Sequence, residues 1–150
     1  MAMKKFLVAV DGSVHAKKAV DLAIDMAKKW GAEIILLHVR EEMEVPEGVK
    51  QFMKIEKMGT SFGDYLEWVC RGDQFLGEAE ARIRAAGGIT VERFCVDGNP
   101  ADEILRAAES HQVDMIIMGS RGLGRFSRAL MGSVSTKVCN HANSTCVTVK

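Results

Sequence analysis

Glycine and hydroxyl side chains concentrate between Met115 and Val138, in the run MIIMGSRGLGRFSRALMGSVSTKV. The run opens on a short apolar segment, Met115 to Met118, that reads as a buried strand. Gly119, Gly122 and Gly124 follow, then the basic segment Arg125 to Arg128, then Gly132-Ser133 and a helical pattern. A strand that ends in a glycine loop and re-enters a helix through Gly-Ser is a cradle for phosphate. Glycines let backbone N–H groups approach an anion, and a helix N-terminus adds free donors and a favourable dipole. Ser133 is expected to cap that helix and to offer its hydroxyl to a ligand oxygen. The plainer reading of the same glycines is a flexible loop, and of Arg121, Arg125 and Arg128 a solvated surface rather than charges set against phosphate.

A second chemical group is Asp11, placed where the first apolar run ends in Asp11-Gly12-Ser13. Its carboxylate can accept hydrogen bonds from a ribose hydroxyl or simply cap the first helix, and both readings stand on sequence alone. Two familiar phosphate motifs are absent. There is no G-x-x-x-x-G-K-[ST], so no P-loop lysine, and the turn after the first strand is DGS rather than G-x-G-x-x-G. His15, His38, His111 and His141 are scattered, and no nucleophile–base pair assembles, so no catalytic residue and no metal ligand is assigned. Cys70, Cys95, Cys139 and Cys146 form no C-x-x-C pair and lack zinc spacing. They read as reduced thiols, mostly small core residues.

The elements that position these residues follow from hydrophobic period. Lys5 to Val10 is a near-continuous apolar run, as a parallel strand buried on both faces requires. This reading also displaces that of a signal peptide, because the run is too short and Asp11 interrupts it. From Ser13, an N-cap, Ala16, Ala19, Val20, Ala23, Met26, Ala27 and Trp30 fall on one helical face, with Gly31 as the stop. Glu33 to Val39 is a second strand, which completes a βαβ unit. Arg40 to Phe62 reads as a surface excursion with one irregular helical turn. A long helical pattern starts at Asp64 and ends at Gly87-Gly88, with Gly72 and Gly77 arguing against one unbroken helix. Ile89 to Val96 alternates only in part, as an edge strand would. Asn99-Pro100, with Asp102 and Glu103 behind it, is a strong helix start. Asp114 to Met118 is the fourth strand, Ser133 to His141 the last helix, and Thr145 to Val149 the last strand.

These elements make a single α/β domain over residues 1–150, a parallel five-stranded sheet with helices on both faces. Ligands of such sheets bind beyond the carboxyl ends of the strands where strand order reverses. Strands one and four flank that point, so Asp11, Val39 and the glycine loop are expected in one cleft. The 150 residues carry 20 basic and 20 acidic side chains. That balance argues against a general nucleic-acid partner. No apolar run approaches the roughly 20 residues of a membrane span. A cytoplasmic protein is the expectation.

Gly119-Ser120-Arg121-Gly122, nine intervening residues and Gly132-Ser133 resemble the nucleotide-binding signature G-x2-G-x9-G-[S/T] of the universal stress protein family. The likeness extends to Val8 to Ser13, to Leu37-His38-Val39, to Gly98-Asn99-Pro100 and to Ser133 to Val138. It implies an adenine nucleotide alpha hydrolase-like fold, a three-layer α/β/α sandwich with strand order 3-2-1-4-5. It implies an ATP site, with AMP or ADP as other candidates. Asp11 would hold the ribose or adenine side, with Ala9, Val10 and Val39 against the base. Met118 and Gly119 would contact the nucleoside. Arg121, Gly122, Gly132, Ser133 and Val134 would surround the phosphates, with Ser135 close by. Mg2+ or Mn2+ would be held mainly by phosphate oxygens and water. The resemblance further implies a homodimer through the Thr145 to Val149 edge and a stress-response regulator that works through nucleotide-dependent conformation or a protein partner. The rival readings are a slow ATPase or autophosphorylating enzyme, which the missing P-loop lysine opposes, and a phospho-receiver-like module. The second needs an acidic cluster after strand one, where this chain has Asp11 followed by Gly and Ser.

Overall fold

The apolar runs become the inner strands of one parallel sheet. The computed structural model describes residues 2–41, 60–122 and 131–150 (60–69 by backbone alone). β1 (Lys5–Ala9), β2 (Glu33–Arg40), β3 (Val91–Asp97), β4 (Met115–Gly119) and β5 (Thr145–Val149) lie in the order β3-β2-β1-β4-β5. Val8 pairs with Leu36 on one side and with Ile117 on the other, so β1 is the centre of the sheet. Phe6, Leu7 and Val8 are fully buried. β3 has the edge place that its partial alternation predicts, with Glu92, Arg93 and Phe94 exposed.

Period two sends alternate residues of each strand to two cores. Phe6, Val8 and Ile117 meet Ala19 and Ala23 of α1 (Val14–Trp30) and Leu76 and Ile83 of α2 (Thr60–Ala86). Leu7, Ile116 and Met118 meet Ile104 and Ala108 of α3 (Pro100–Ser110) and Val138 of α4 (Ser133–His141). The result is the three-layer α/β/α sandwich, with α1 and α2 on one face and α3 and α4 on the other. At roughly 25 cal/mol per Å2 of apolar surface removed from water, these two cores are the main favourable term in folding.

Local signals set the helix ends. Ser13 caps α1, its Oγ accepting from Ala16 N–H at 3.1 Å, and Gly31 ends it in the left-handed region at φ 64°. Asn99 caps α3 by accepting from Asp102 N–H at 3.2 Å, with Pro100 at the first helical position. Three expectations need correction. α2 is one unbroken helix from Thr60, because Gly72 serves packing and does not break it. A Cβ there would stand 2.7 Å from His38 Cδ2 and 3.2 Å from Cys95 Sγ, so glycine lets α2 lie close on β2 and β3. β3 starts at Val91 rather than Ile89 and runs through Asp97. The N-cap of α4 is Gly132, not Ser133, which is the first helical residue and makes no cap. The excursion read at Arg40 to Phe62 falls mostly on 42–59, and Arg125 and Arg128 fall within 123–130, all outside the described residues.

Candidate nucleotide site

The sheet reverses its strand order between β1 and β4, and a cleft of about 510 Å3 opens at their carboxyl ends. That volume lies within the usual range of small-molecule sites. The twelve residues that the family resemblance assigns to the nucleotide all line it. Ala9 and Val10 at the end of β1, Val39 of β2 and Met118 of β4 supply strand-end walls. Asp11, Gly119, Arg121 and Gly122 come from the turns that follow β1 and β4. Gly132, Ser133, Val134 and Ser135 are the start of α4. Residues more than a hundred positions apart are thus brought to one place by the crossover from β3 to β4.

The two turns face each other. Asp11 Oδ1 accepts from Ser13 N–H at 2.9 Å, which makes the tight turn that carries the chain into α1. Oδ2 of the same carboxylate lies toward Gly122, where a built Cβ would stand 2.8 Å from it. One oxygen therefore serves the turn and the other faces the glycine loop, so the two readings of Asp11 are compatible. Gly119 has a packing reason. A Cβ on it would stand 2.7 Å from His15 Cβ and 2.9 Å from Ala16 N, so only glycine lets β4 end against the first turn of α1.

Gly132 has no such reason. Its φ is −63°, open to any residue, and among the described residues the nearest atom to a built Cβ is Ser120 O at 3.4 Å. Packing among the described residues does not demand glycine here. Its N–H donates to Ser120 O at 2.7 Å, so this amide is spent inside the protein. The first turn of α4 has no side-chain cap, and Ser133 is exposed on the cleft wall. Uncapped first-turn N–H groups and the positive end of the helix make this the part of the cleft suited to an anion. The lining also has an apolar part, with Val39 and Met118 joined by Pro100 and Ile104 of α3.

Sequence reasoning missed several lining residues, notably His38, Phe75, Pro100 and Ile104. His38 is one of the scattered histidines given no catalytic role by sequence, and it lies within β2. Its Nδ1 lies 2.7 Å from Val10 O, which assigns the proton to Nδ1, and its ring stands edge-on to Phe75 at 5.5 Å. It is both structural and part of the wall. The cysteines lie apart from the lining. Cys95, Cys139 and Cys146 are half-buried, whereas Cys70 is exposed on α2, against the core expectation. Burial, with Cys139 beside it, pushes the Cys146 thiol up to about 11. Its thiolate is scarce at neutral pH, as an inert packing thiol requires. Among the described residues, no cluster of three or more His, Cys, Asp or Glu converges on a metal position. Among the same residues, no helix is long and apolar enough to cross a membrane.

Residues 3–150 match the universal stress protein family. The chain belongs to that family. It is 36% identical over 136 residues to universal stress protein YxiE of Bacillus subtilis, covering 89% of this chain and 90% of that one. Two solved structures share the fold at lower identity. One is a universal stress protein in complex with cAMP, with a TM-score of 0.68, 24% identity and coverage of 99% and 98% of the two chains. The other is the universal stress protein of Archaeoglobus fulgidus in complex with dAMP, with a TM-score of 0.66, 22% identity and full coverage of both. The two ligands share an adenine base and a phosphate.

Proposed function

We propose that this universal stress protein binds an adenine nucleotide in the cleft between β1 and β4, with ATP and Mg2+ or Mn2+ as its full ligand. One observation carries the proposal. The first turn of α4 has no side-chain cap, and it begins at a glycine that packing among the described residues does not require, on the wall of a cleft of about 510 Å3. A glycine without an internal reason is explained by something outside the chain coming close to its backbone. A phosphate meeting free N–H groups is that something. The adenine nucleotides held by the two structural neighbours support the choice of base.

The roles then follow from position. Val39, Ala9, Val10 and Met118 enclose the base, and Asp11 accepts from the ribose. Gly122 and the N–H groups of Ser133, Val134 and Ser135 surround the phosphates, with the Arg121 guanidinium adding charge. The cation would be held mainly by phosphate oxygens and water, as the family resemblance implies. Its part is to neutralise phosphate charge. Among the described residues no base is set against an attacking water, which supports reading the protein as a binder and regulator before an ATPase. Its output is a change of conformation or of partner, and that requires a partner with different affinity for the loaded and empty states. The free edge of β5, Thr145–Val149, is proposed to pair with a second copy, which also protects an otherwise open strand. The site of action is proposed to be the cytoplasm.

Calorimetric titration of the purified protein with ATP and Mg2+, together with chemical identification of any nucleotide released on denaturation, tests this. Saturable binding of ATP with GTP markedly weaker is the expected result. No binding of any adenine nucleotide at millimolar concentration overturns the proposal.

A further inference from the structure

Ser135 lines the cleft, yet it is only 2% exposed. Its Oγ donates toward two backbone acceptors, Ser120 O and Gly132 O, each at 3.0 Å. A serine hydroxyl has one proton to give. A phosphate oxygen offers only lone pairs at neutral pH, so a serine that binds it must turn that proton outward. Here the proton is shared between two carbonyls on the inner side. Turning it out would leave Ser120 O with one fewer donor in a buried place, and such losses are costly.

Ser120 is the centre of the arrangement. Its carbonyl also accepts from Gly132 N–H at 2.7 Å, and its own N–H donates to Val149 O at 2.7 Å. Ser120 is 3% exposed. The exit of β4, the start of α4 and the end of β5 therefore meet at one buried residue. With no side chain on Gly132 to cap the helix, these bonds are what fix where α4 begins.

We propose that the Ser135 hydroxyl is a positioning group and not a phosphate ligand. Through Ser120 it holds the first turn of α4 in its binding geometry in the empty protein. The free hydroxyl on the cleft wall is then that of the exposed Ser133. Presetting the donors before the ligand arrives removes part of the ordering cost of binding. The link to affinity rests on the nucleotide reading above, and the link to Ser120 does not.

The test is amide hydrogen exchange in the nucleotide-free protein, read at Gly132, followed by ATP titration. Ser135→Ala is expected to speed exchange at Gly132 about five-fold, as loss of one net hydrogen bond would. It is also expected to weaken ATP about three- to ten-fold. Ser135→Thr restores both, because the hydroxyl returns. Ser135→Cys, a weaker donor, gives an intermediate acceleration and serves if the alanine variant does not fold. Weaker ATP binding in Ser135→Ala with Gly132 exchange unchanged would make the Ser135 hydroxyl a ligand and overturn the proposal. Unchanged exchange with unchanged affinity overturns it equally. If the wild-type protein binds no nucleotide, the function proposed above fails, and the exchange result still decides the role of Ser135.

Discussion

Gly12-Ser13-Val14 and Gly132-Ser133-Val134 both open a helix at the carboxyl end of the sheet, and the two copies do different work. In the first, Ser13 is the cap, at φ −69° and ψ 158°, and its hydroxyl satisfies Ala16 N–H. In the second the cap is Gly132, at φ −63° and ψ 157°, and no side chain satisfies the first turn. The backbone shape is nearly the same, but the triplet is shifted by one residue. Gly12 must be glycine, because its φ is 80° and a Cβ would stand 2.4 Å from Phe75 Cε1. Gly132 is bound by neither condition. One helix start is closed by its own chain and pressed onto β4. The other is left open on the cleft. A helix end becomes a binding site when its donors are withheld from local caps, and the same tripeptide can serve either purpose.

Closing the gap behind α1 the wrong way should have the largest effect. Gly119→Ala puts a methyl group 2.9 Å from the backbone nitrogen of Ala16. A backbone atom inside a capped helix cannot swing aside, so a stability loss of about 1–3 kcal/mol is expected. Urea unfolding measures it. A variant as stable as the wild type would mean that α1 is not held tightly to β4, and the contrast between the two helix starts would weaken. Next comes the open side. Gly122→Val puts a Cβ 2.8 Å from Asp11 Oδ2, so the carboxylate end of that side chain must shift. It should weaken ATP at least about ten-fold, or 1.4 kcal/mol, with the unfolding midpoint little changed. Unchanged affinity removes the proposed phosphate contact.

The paired serines give the third comparison. Ser13→Ala should cost about 1 kcal/mol of stability, the usual worth of a serine cap. Ser133→Ala should stay within about 0.5 kcal/mol, because Ser133 caps nothing. Equal losses in the two variants would show that the second helix start is capped after all.

The strands, the sheet order and the place of the cleft were legible because each rests on signals that are local or topological. Apolar runs such as Phe6 to Val8 mark strands buried on both faces. The family signature from Gly119 to Ser133 implied the order that the structure shows. The cap of α3 was legible from Asn99-Pro100 alone. The cap of α4 was not, since Gly132 and Ser133 are both acceptable N-caps, and the choice rests on Ser120, which reaches Gly132 from outside the helix. Gly72 was misread for the same kind of reason. A glycine inside a helical pattern looks like a break until His38 and Cys95 are seen beneath it. His38 drew no role because it pairs with no nucleophile in the sequence, whereas the cleft takes wall residues from both faces of the sheet whatever their chemistry. What escaped was contact between elements, which composition and spacing do not encode.

The smallest expected effect is the most discriminating one. Gly132→Ser would give α4 the cap that α1 already has, at a backbone geometry within a few degrees of that of Ser13. The added Cβ would be 3.4 Å from Ser120 O, so the neighbouring carbonyl need hardly move. Glycine is already a fair N-cap, so the empty protein should gain only a few tenths of a kcal/mol. The new hydroxyl would accept from the N–H of Val134 or Ser135, which are donors assigned to phosphate. ATP should therefore bind a few-fold more weakly, on the scale of one net hydrogen bond, while the unfolding midpoint rises or holds. A purely structural glycine would lose stability and affinity together, and a glycine with no role would lose neither. Opposite signs in calorimetry and denaturation are expected only if the helix start was left uncapped for a ligand.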